Sequence, residues 1–314
     1  MAKIAVQLQR AIERRHELGT PGRAVSRIIA RGDGWTVADV MCTSGPRDRR
    51  FEEQHTHYAI AIVVAGTFQY RSHLGRGVMT AGSLLLGNRG QCYECGHEHG
   101  DGDRCVAFWY APPYFERVAA DVVRRRHGID FRVPRLPPLR PLSPVVARAA
   151  AGVLAPGGVA WEELAITLAA RAISLAAGES PDSQVTVANA AARVTQTVRT
   201  IERHPDASLT LGEMAAAARL SPYHFLRTFE QVTGITPHQY VMRARLREAA
   251  LRLAAEPGRI VDVAFDCGFG DVSNFNRAFR TEFGVSPRAY QRGHNNNDQD
   301  HSEQRHRRQR HDHD

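Results

Sequence analysis

Lysine is nearly absent from this sequence. Only Lys3 is a lysine among the 41 Lys and Arg residues, and the formal net charge is +8. A basic excess favours an anionic partner, although so strong a preference for arginine is also typical of GC-rich coding. The sequence also lacks an apolar run long enough to cross a bilayer and a secretory signal segment. We therefore expect a cytoplasmic protein with no membrane partner and with reduced thiols.

Cysteine is scarce as well. The five cysteines are an odd number, and three of them, Cys92, Cys95 and Cys105, fall within fourteen residues. In a reducing compartment this clustering indicates a metal or redox site and argues against a structural disulfide framework.

Apolar side chains are missing from the end of the chain. Residues 293–314 consist only of Gly, Asn, Asp, Gln, Ser, Glu, Arg and His. Such a segment cannot bury apolar surface, so we expect a disordered His/Arg-rich tail. Its histidines could bind a metal, but a solubilising role is favoured.

The sequence does contain an internal repeat. Five residue types recur at an offset of 50 positions between residues 209 and 290. The pairs are Arg227 and Arg277, Phe229 and Phe279, Gly234 and Gly284, Pro237 and Pro287, and Tyr240 and Tyr290. This self-similarity predicts one supersecondary unit that is used twice.

Each copy has the length and the end signals of a helix-turn-helix unit. In the first copy, Thr210 begins the capping box of a short helix. Ser221 then caps a second helix, which Gly234 ends in a left-handed conformation. For the second copy we expect a short helix over 260–267, a turn over 268–271 and a second helix over 273–283. A long helix over 237–255 connects the two copies.

Residues 268–287 read Gly-Phe-x-Asp-x-Ser-x-Phe-x-Arg-x-Phe-Arg-x-x-Phe-Gly-x-x-Pro. This phrase resembles the AraC/XylS family of bacterial transcriptional regulators, and the resemblance covers residues 193–292. It implies that the second helix of each unit enters the major groove of double-stranded DNA. It also implies that the connecting helix holds the units about one DNA turn apart. RNA polymerase is a further partner that the resemblance suggests.

The family resemblance assigns DNA contacts residue by residue. The residues expected to contact DNA are Tyr223, His224, Leu226 and Arg227 in the first unit and Val272, Ser273, Asn274, Asn276, Arg277 and Arg280 in the second. Arg227 and Arg277 are the candidates for bidentate readout of guanine. Tyr223 and His224 could equally pack on a neighbouring helix. Glu230 departs from the basic residue that is usual in the family, and its carboxylate would repel phosphate.

The N-terminal third alternates in hydropathy. Residues 1–20 predict an amphipathic helix. Beyond it the apolar period becomes two, and glycines separate short strands around residues 35–39, 60–64, 67–70, 84–86 and 106–109. The pattern favours a small β-barrel or jelly roll. His55-Thr56-His57, followed by residues 81–86, resembles the two cupin half-motifs and implies a cupin-like sensor barrel, although Ala61 stands where cupin enzymes have an acidic ligand.

Metal-ligating side chains alternate along residues 95–99, so on an extended strand they would project from one face. The turn over residues 100–103 would bring the next cysteine back to them. The expected ligands of zinc or another divalent metal are Cys95, His97, His99 and Cys105, with Cys92, His55 and His57 as substitutes. Three alternatives remain open: a Cys95–Cys105 disulfide acting as a redox switch, a pocket for an organic effector, and simple surface histidines.

The middle of the chain is expected to be helical after a proline-rich extended linker over residues 128–144. Helices are predicted near 110–127, 144–155 and 160–177. On the last of these helices, Leu164, Leu168, Ala172 and Leu175 form an apolar stripe. The family resemblance implies that helices in this region can form a homodimer surface, and the alternative is that the stripe is buried in its own chain.

The predicted fold is an α+β multidomain chain. Its expected parts are a cupin-like sensor domain (1–112), a helical linker or dimerisation segment (113–178), a hinge (179–192), a double helix-turn-helix DNA-binding domain (193–292) and the tail (293–314). The function that follows is a sequence-specific DNA-binding transcriptional regulator, not an enzyme. It would respond through its N-terminal domain to a metal, a redox signal or a small effector. The alternative is a cupin-like metalloenzyme fused to a DNA-binding module, which the missing acidic ligand argues against.

Overall fold

Short apolar stretches separated by glycine turns form a β-rich domain before residue 111, and helices follow. The computed structural model describes residues 2–122, 130–156, 159–178, 188–255 and 258–294, apart from the side chains of 188–190 and 223. The tail beyond residue 294 and most of the predicted hinge lie outside the described residues.

The strands of the described chain are β1 (Ala24–Gly32), β2 (Trp35–Cys42), β3 (Phe51–Gln54), β4 (Tyr58–Ser72), β5 (Gly75–Thr80), β6 (Leu84–Gly87), β7 (Cys92–Gly96), β8 (Asp103–Tyr110) and β9 (Arg135–Leu136). The helices are α1 (Ala2–Glu17), α2 (Pro112–Val122), α3 (Ser143–Leu154), α4 (Trp161–Ala176), α5 (Ala188–Arg203), α6 (Leu211–Ala217), α7 (Pro222–Thr233), α8 (Pro237–Ala255), α9 (Ile260–Asp266) and α10 (Val272–Phe283). Residues 287–294 are also helical.

All strand pairs are antiparallel, and the main path through the sheet is β1-β2-β8-β4-β6-β9. Strand β4 additionally pairs with β5 and β7, and β3 pairs with β7. Among the described strands, β1 and β9 end this path and do not pair with each other. The predicted β-rich N-terminal domain is therefore confirmed, whereas a closed cupin-like barrel is not.

Strand β4 corrects one expectation. Residues 60–64 and 67–70, predicted as separate strands, form a single strand of 15 residues. Its register against β8 shifts between Val63 and Ala65, which marks a β-bulge. The glycine that suggested a break, Gly66, has φ of 75°, and a Cβ there would lie 2.4 Å from the carbonyl oxygen of Gly102. The glycine is needed for this close approach and not to end the strand.

The proline-rich segment was also wrongly expected to be a linker. Residues 135–136 form β9, which pairs with β6 at the edge of the sheet. Phe131 and Val133 just before it are buried, and a 3₁₀-helix follows at Arg140–Leu142. Apolar residues between the prolines thus make this segment part of the core, which composition alone does not reveal.

Helices α1 to α4 contribute to one core on a single face of the sheet. Ile4, Leu8 and Ile12 of α1 are buried, as the amphipathic pattern predicts. On α4, Leu164, Leu168 and Ala172 are completely buried in the same chain. The stripe that could have formed a homodimer surface is therefore used internally. Among the described helices, none is long and apolar enough to span a membrane.

The C-terminal helices form the two predicted helix-turn-helix units, and each unit has its own apolar core. Thr210 and Glu213 form the complete capping box of α6. Gly234 and Gly284 end α7 and α10 with φ of 82° and 81°. The connecting helix α8 has the predicted bounds. Helix α5 begins at Ala188, inside the segment expected to be a hinge.

Candidate nucleic-acid interface and buried Cys/His/Asp cluster

Helix α7 is the second helix of the first unit. Ser221 caps it, with its Oγ accepting a hydrogen bond from the backbone N–H of His224 at 3.3 Å. Phe225 and Phe229 are completely buried, whereas His224 and Arg227 are exposed on another face. Leu226 is half-buried, and the side chain of Tyr223 lies outside the described residues.

Helix α10 repeats this arrangement in the second unit. The Asp271 carboxylate accepts hydrogen bonds from the backbone N–H groups of Ser273 and Asn274 at 3.0 and 2.9 Å. These bonds lower the pKa of Asp271. Ser273, Asn274, Asn276, Arg277 and Arg280 are exposed, and Val272 is half-buried. The guanidinium of Arg277 donates to Oδ1 of Asn274 at 3.2 Å.

On both helices, buried phenylalanines thus anchor one face to the core, and polar, hydrogen-bonding side chains are exposed on another face. An exposed arginine on each helix can donate two parallel hydrogen bonds to guanine O6 and N7. Glu230 of α7 is exposed as well, and it lines a cavity of about 440 Å³ between α7 and the sheet. Arg50, Arg71, Arg76 and Arg135 also line that cavity.

The helical domain is joined to the sheet through Arg199 of α5. This side chain is 7% exposed. Its Nε donates to Thr67 Oγ1 at 3.0 Å, and its other nitrogens donate to the carbonyl oxygens of Thr67, Asp101 and Gly102 at 3.2, 2.5 and 3.2 Å. Burial, and next the charge of Arg203, lower the pKa of Arg199 to about 10. One arginine of the first C-terminal helix thus satisfies the backbone of a turn in the N-terminal domain.

A second buried contact connects α8 to the sheet. The Tyr240 hydroxyl lies 2.9 Å from the Glu202 carboxylate and 3.3 Å from the carbonyl oxygen of Ala81, and these two acceptors share its one proton. Arg247 pairs with Glu202 at 3.2 Å, and both side chains are almost completely buried. A Cβ on Gly82 would lie 2.8 Å from the Arg247 guanidinium, so the turn at residues 81–82 fits closely against this pair.

The expected metal ligands are distributed differently from the prediction. Strand β7 ends at Gly96, so the alternation that should have placed three ligands on one face stops before His97. His97 is buried, whereas His99 lies in the following turn, 3.9 Å from Glu98. Cys95 and Cys105 are buried in a small apolar cluster beneath β4, and Cys92 is exposed. All five cysteines are free thiols, so the alternative disulfide is not formed.

His97 instead meets two residues that the sequence reasoning missed. One ligand atom each from Cys42, His97 and Asp103 lies within 4.8 Å of the others, and all three residues are buried. Within the described part of the chain, this is the one group of three or more such residues that converges. The missed signal is strand register, because Cys42 ends β2 directly opposite Asp103, which begins β8.

The histidines of the cupin-like motif do not form a comparable group. His55 is buried, stacks on Tyr93 with ring centroids 4.1 Å apart, and hydrogen-bonds to the Tyr70 hydroxyl at 3.1 Å. Burial lowers the pKa of His55 to about 4. His57 is exposed and hydrogen-bonds to the neighbouring Thr56. His55 therefore sits as a neutral ring in an aromatic environment.

Comparison with known proteins places the clearest similarity in the C-terminal region. A family model described as a helix-turn-helix domain matches residues 214–293. The probable transcriptional regulator LumQ of Photobacterium leiognathi is 40% identical over 91 residues, which is 29% of this chain and 37% of LumQ. The transcriptional activator RhaS of Klebsiella pneumoniae (strain 342) is 38% identical over 102 residues, 32% of this chain and 37% of RhaS. This chain thus spans well under half of the length of these relatives.

Among solved structures, the DNA-binding domain of AdpA, a global transcriptional factor, in complex with a target DNA is similar to this chain. The identity is 28% and the TM-score 0.32, over 32% of this chain and 91% of that one.

Proposed function

Because its C-terminal domain is an AraC/XylS-type helix-turn-helix domain, we propose that this chain is a sequence-specific transcriptional regulator whose N-terminal domain controls DNA binding. The observation that carries the proposal is the matched pair of helices α7 and α10. Each is capped at both ends, buries phenylalanines on one face and exposes an arginine at the equivalent position, Arg227 or Arg277.

The DNA contacts proposed are those of the two exposed helix faces. Arg227 and Arg277 read base edges in successive major grooves, and Ser273, Asn274 and Arg280 contact the backbone or neighbouring bases. The exposed carboxylate of Glu230 makes the first unit the weaker phosphate binder. Double-stranded DNA is the primary partner, and RNA polymerase is a second partner suggested by the resemblance to the AraC/XylS family.

The N-terminal domain is proposed as the control element because α5 and α8 are bonded to its backbone through buried side chains. Arg199 and Tyr240 satisfy carbonyl groups of sheet turns, so a change in these turns alters the position of the DNA-binding helices. The signal is a metal, a redox change or a small effector. A homodimer would have to use a surface other than the buried stripe of α4.

A cupin-like metalloenzyme is not favoured by any observation on the described residues. His55 contacts tyrosine rings, and burial alone accounts for the shift of its pKa. A metal-activated water needs convergent ligands with an open position, and the cupin-like motif does not assemble them here.

The test is selection of a DNA site from random sequence by the full-length protein, followed by affinity measurements for Arg227→Ala and Arg277→Ala. Each loss should weaken binding to the selected site by about 1–3 kcal/mol and relax the preference at one base position. The salt dependence should be steep, since phosphate contacts release counterions.

Arg31→Ala is the matched control, because Arg31 is an exposed arginine on β1 in the other domain. It should leave operator affinity unchanged. A correctly folded Arg227→Ala/Arg277→Ala double variant that binds the selected site as tightly as the parent would contradict the proposed interface.

A further inference from the structure

Three buried side chains with different metal-ligating atoms meet where β2 and β7 end and β8 begins. The imidazole Nε2 of His97 lies 2.8 Å from Oδ1 of Asp103. Cys42 is the direct cross-strand neighbour of Asp103, and cross-strand neighbours have Cβ atoms about 5 Å apart. The Cys42 thiol, the imidazole and the carboxylate thus point into one small space from three strand ends.

We propose that Cys42, His97 and Asp103 bind one borderline divalent metal ion, for which zinc fits best. A thiolate, a neutral imidazole and a carboxylate are all ordinary zinc ligands, and together they carry two negative charges that balance the ion. At zinc–ligand distances, tetrahedral ligand atoms are about 3.3 to 3.8 Å apart. The present spacing, from 2.8 to at most 4.8 Å, needs adjustments of at most about 1.5 Å to reach that geometry.

Three protein ligands leave the fourth tetrahedral position to a water molecule, with two further thiols close by. Cys105 Sγ donates to Oδ2 of Asp103 at 3.1 Å, and Cys95 is buried in the same apolar cluster as Cys105. The Cys42 thiol loses its proton to solvent as the sulfur–metal bond forms, so binding releases protons and strengthens as the pH rises.

The proposed metal site is next to the contact that joins the two domains. Asp103 is preceded by Asp101 and Gly102, whose carbonyl oxygens accept hydrogen bonds from Arg199 of α5. Gly102 also packs against Cys42, since a Cβ on Gly102 would lie 2.7 Å from the Cys42 carbonyl oxygen. The same short segment therefore carries a metal ligand and the acceptors of the Arg199 guanidinium.

Metal binding therefore changes the hydrogen bonds between Arg199 of α5 and the N-terminal domain. Asp103 and His97, which are 2.8 Å apart as a hydrogen-bonded pair, must separate by about 0.5 Å to become ligands of one ion. Because the segment is confined by Cys42 on one side and by Arg199 on the other, this displacement reaches the guanidinium. The regulatory part of the inference rests on the proposed DNA-binding function, whereas the metal site does not.

The site is tested with Co²⁺, which reports thiolate ligation by near-ultraviolet charge-transfer absorption and tetrahedral geometry by visible bands. The reduced full-length protein should bind one Co²⁺ with both signatures, and Zn²⁺ should displace it. His97→Gln and Cys42→Ser should weaken binding more than about 100-fold, beyond the effect of losing an outer-shell partner. The histidines of the tail cannot produce the thiolate band, because residues 293–314 contain no cysteine.

Cys92→Ser is the matched control, since Cys92 is an exposed thiol on the same strand as Cys95. It should bind Co²⁺ like the parent. Cys42→Ala is a second variant whose folding is checked by circular dichroism, so that the loss of a ligand can be distinguished from a failure to fold. A folded Cys42→Ala that keeps the parental cobalt affinity, or a parent without the thiolate band, overturns the site.

The regulatory part is tested by measuring affinity for a selected DNA site with and without Zn²⁺. The parent should change its affinity by about fivefold or more, and Arg199→Gln should abolish this dependence on zinc. A parent that gives the cobalt spectrum yet binds DNA equally with and without Zn²⁺ overturns the coupling. A parent that gives the spectrum but selects no DNA site contradicts the proposed function and leaves the metal site standing.

Discussion

Replacing Arg199 by alanine should destabilise the N-terminal domain, although Arg199 belongs to a helix of the other domain. Its guanidinium makes four hydrogen bonds to Thr67, Asp101 and Gly102. If each is worth about 1 to 1.5 kcal/mol, the four together contribute about 4 to 6 kcal/mol. Burial and the nearby charge of Arg203 oppose them, and the lowered pKa of about 10 corresponds to a cost of ~3 kcal/mol. We therefore expect Arg199→Ala to lower the free energy of unfolding by about 2 kcal/mol.

The three tryptophans allow this to be measured domain by domain. Trp35, Trp109 and Trp161 all lie in the β-rich domain and the helices packed on it, so urea unfolding followed by tryptophan fluorescence reports on that part alone. The control is Arg203→Ala, one turn further along α5, whose side chain is exposed and donates to Gln9. It should change the free energy by less than about 0.5 kcal/mol.

A fragment of residues 185–314 provides the decisive comparison. It lacks the carbonyl acceptors of Arg199, so Arg199→Ala should not destabilise it, as judged by circular dichroism during unfolding. An equal loss of stability in the fragment and in the full chain would mean that Arg199 acts within its own helix. An unchanged fluorescence midpoint in the full-length variant would mean that the interdomain bonds contribute nothing. Either result would refute the reasoning.

Three further outcomes are expected. The 185–314 fragment itself should fold and bind DNA, because each helix-turn-helix unit has its own core. A fragment without a helical circular dichroism spectrum would mean that the domain boundary lies elsewhere. Lowering the pH from 6.5 to 4 should lower the free energy of unfolding by about 3 kcal/mol through His55, since the unfolded imidazole is protonated in this range while the buried one stays neutral. His55→Gln should remove this part of the pH dependence. A His55→Gln variant whose stability depends on pH as that of the parent does would contradict the assignment. Arg219, at φ of 52°, occupies the turn position that Gly268 fills in the second unit, so Arg219→Gly should stabilise the first unit by up to about 1 kcal/mol. Gly268→Ala should destabilise the second unit by more than that, because its Cβ would lie 2.7 Å from the Asp206 carbonyl oxygen. A lower thermal midpoint for Arg219→Gly together with a higher one for Gly268→Ala would refute both.

The helix-turn-helix units could be predicted from the sequence because their determinants are local. Thr210, Ser221 and Gly234 cap helices within a few residues of themselves, and the phenylalanines repeat with the helical period. Bounds and buried faces follow from such signals without knowledge of the rest of the chain. The buried faces of α1 and α4 follow from the helical period in the same way.

The buried Cys/His/Asp cluster could not be predicted in the same way. Cys42 meets Asp103 only through the register of β2 against β8, which no spacing in the sequence encodes. The end of β7 at Gly96 broke the alternation on which the expected four-ligand set depended. No local pattern marks Arg199 as buried, because its acceptors lie in a remote turn and most are backbone carbonyls. Non-local pairing and backbone acceptors thus account for what the sequence left out.

The large core of the N-terminal half has a consequence for the order in which the chain folds during synthesis. That core unites Ile4 of α1, Phe108 of β8, Leu168 of α4 and Leu251 of α8. The strands up to β8 can pair once β8 has left the ribosome. One apolar face of the sheet stays uncovered until α4 has emerged, and it is fully covered only after α8 has been synthesised. The two helix-turn-helix units depend mostly on local contacts and should form quickly. The core of the N-terminal half is therefore complete only after the C-terminal helices have been synthesised. Until then the nascent sheet exposes apolar surface, which makes it the species most prone to aggregation and most dependent on chaperones.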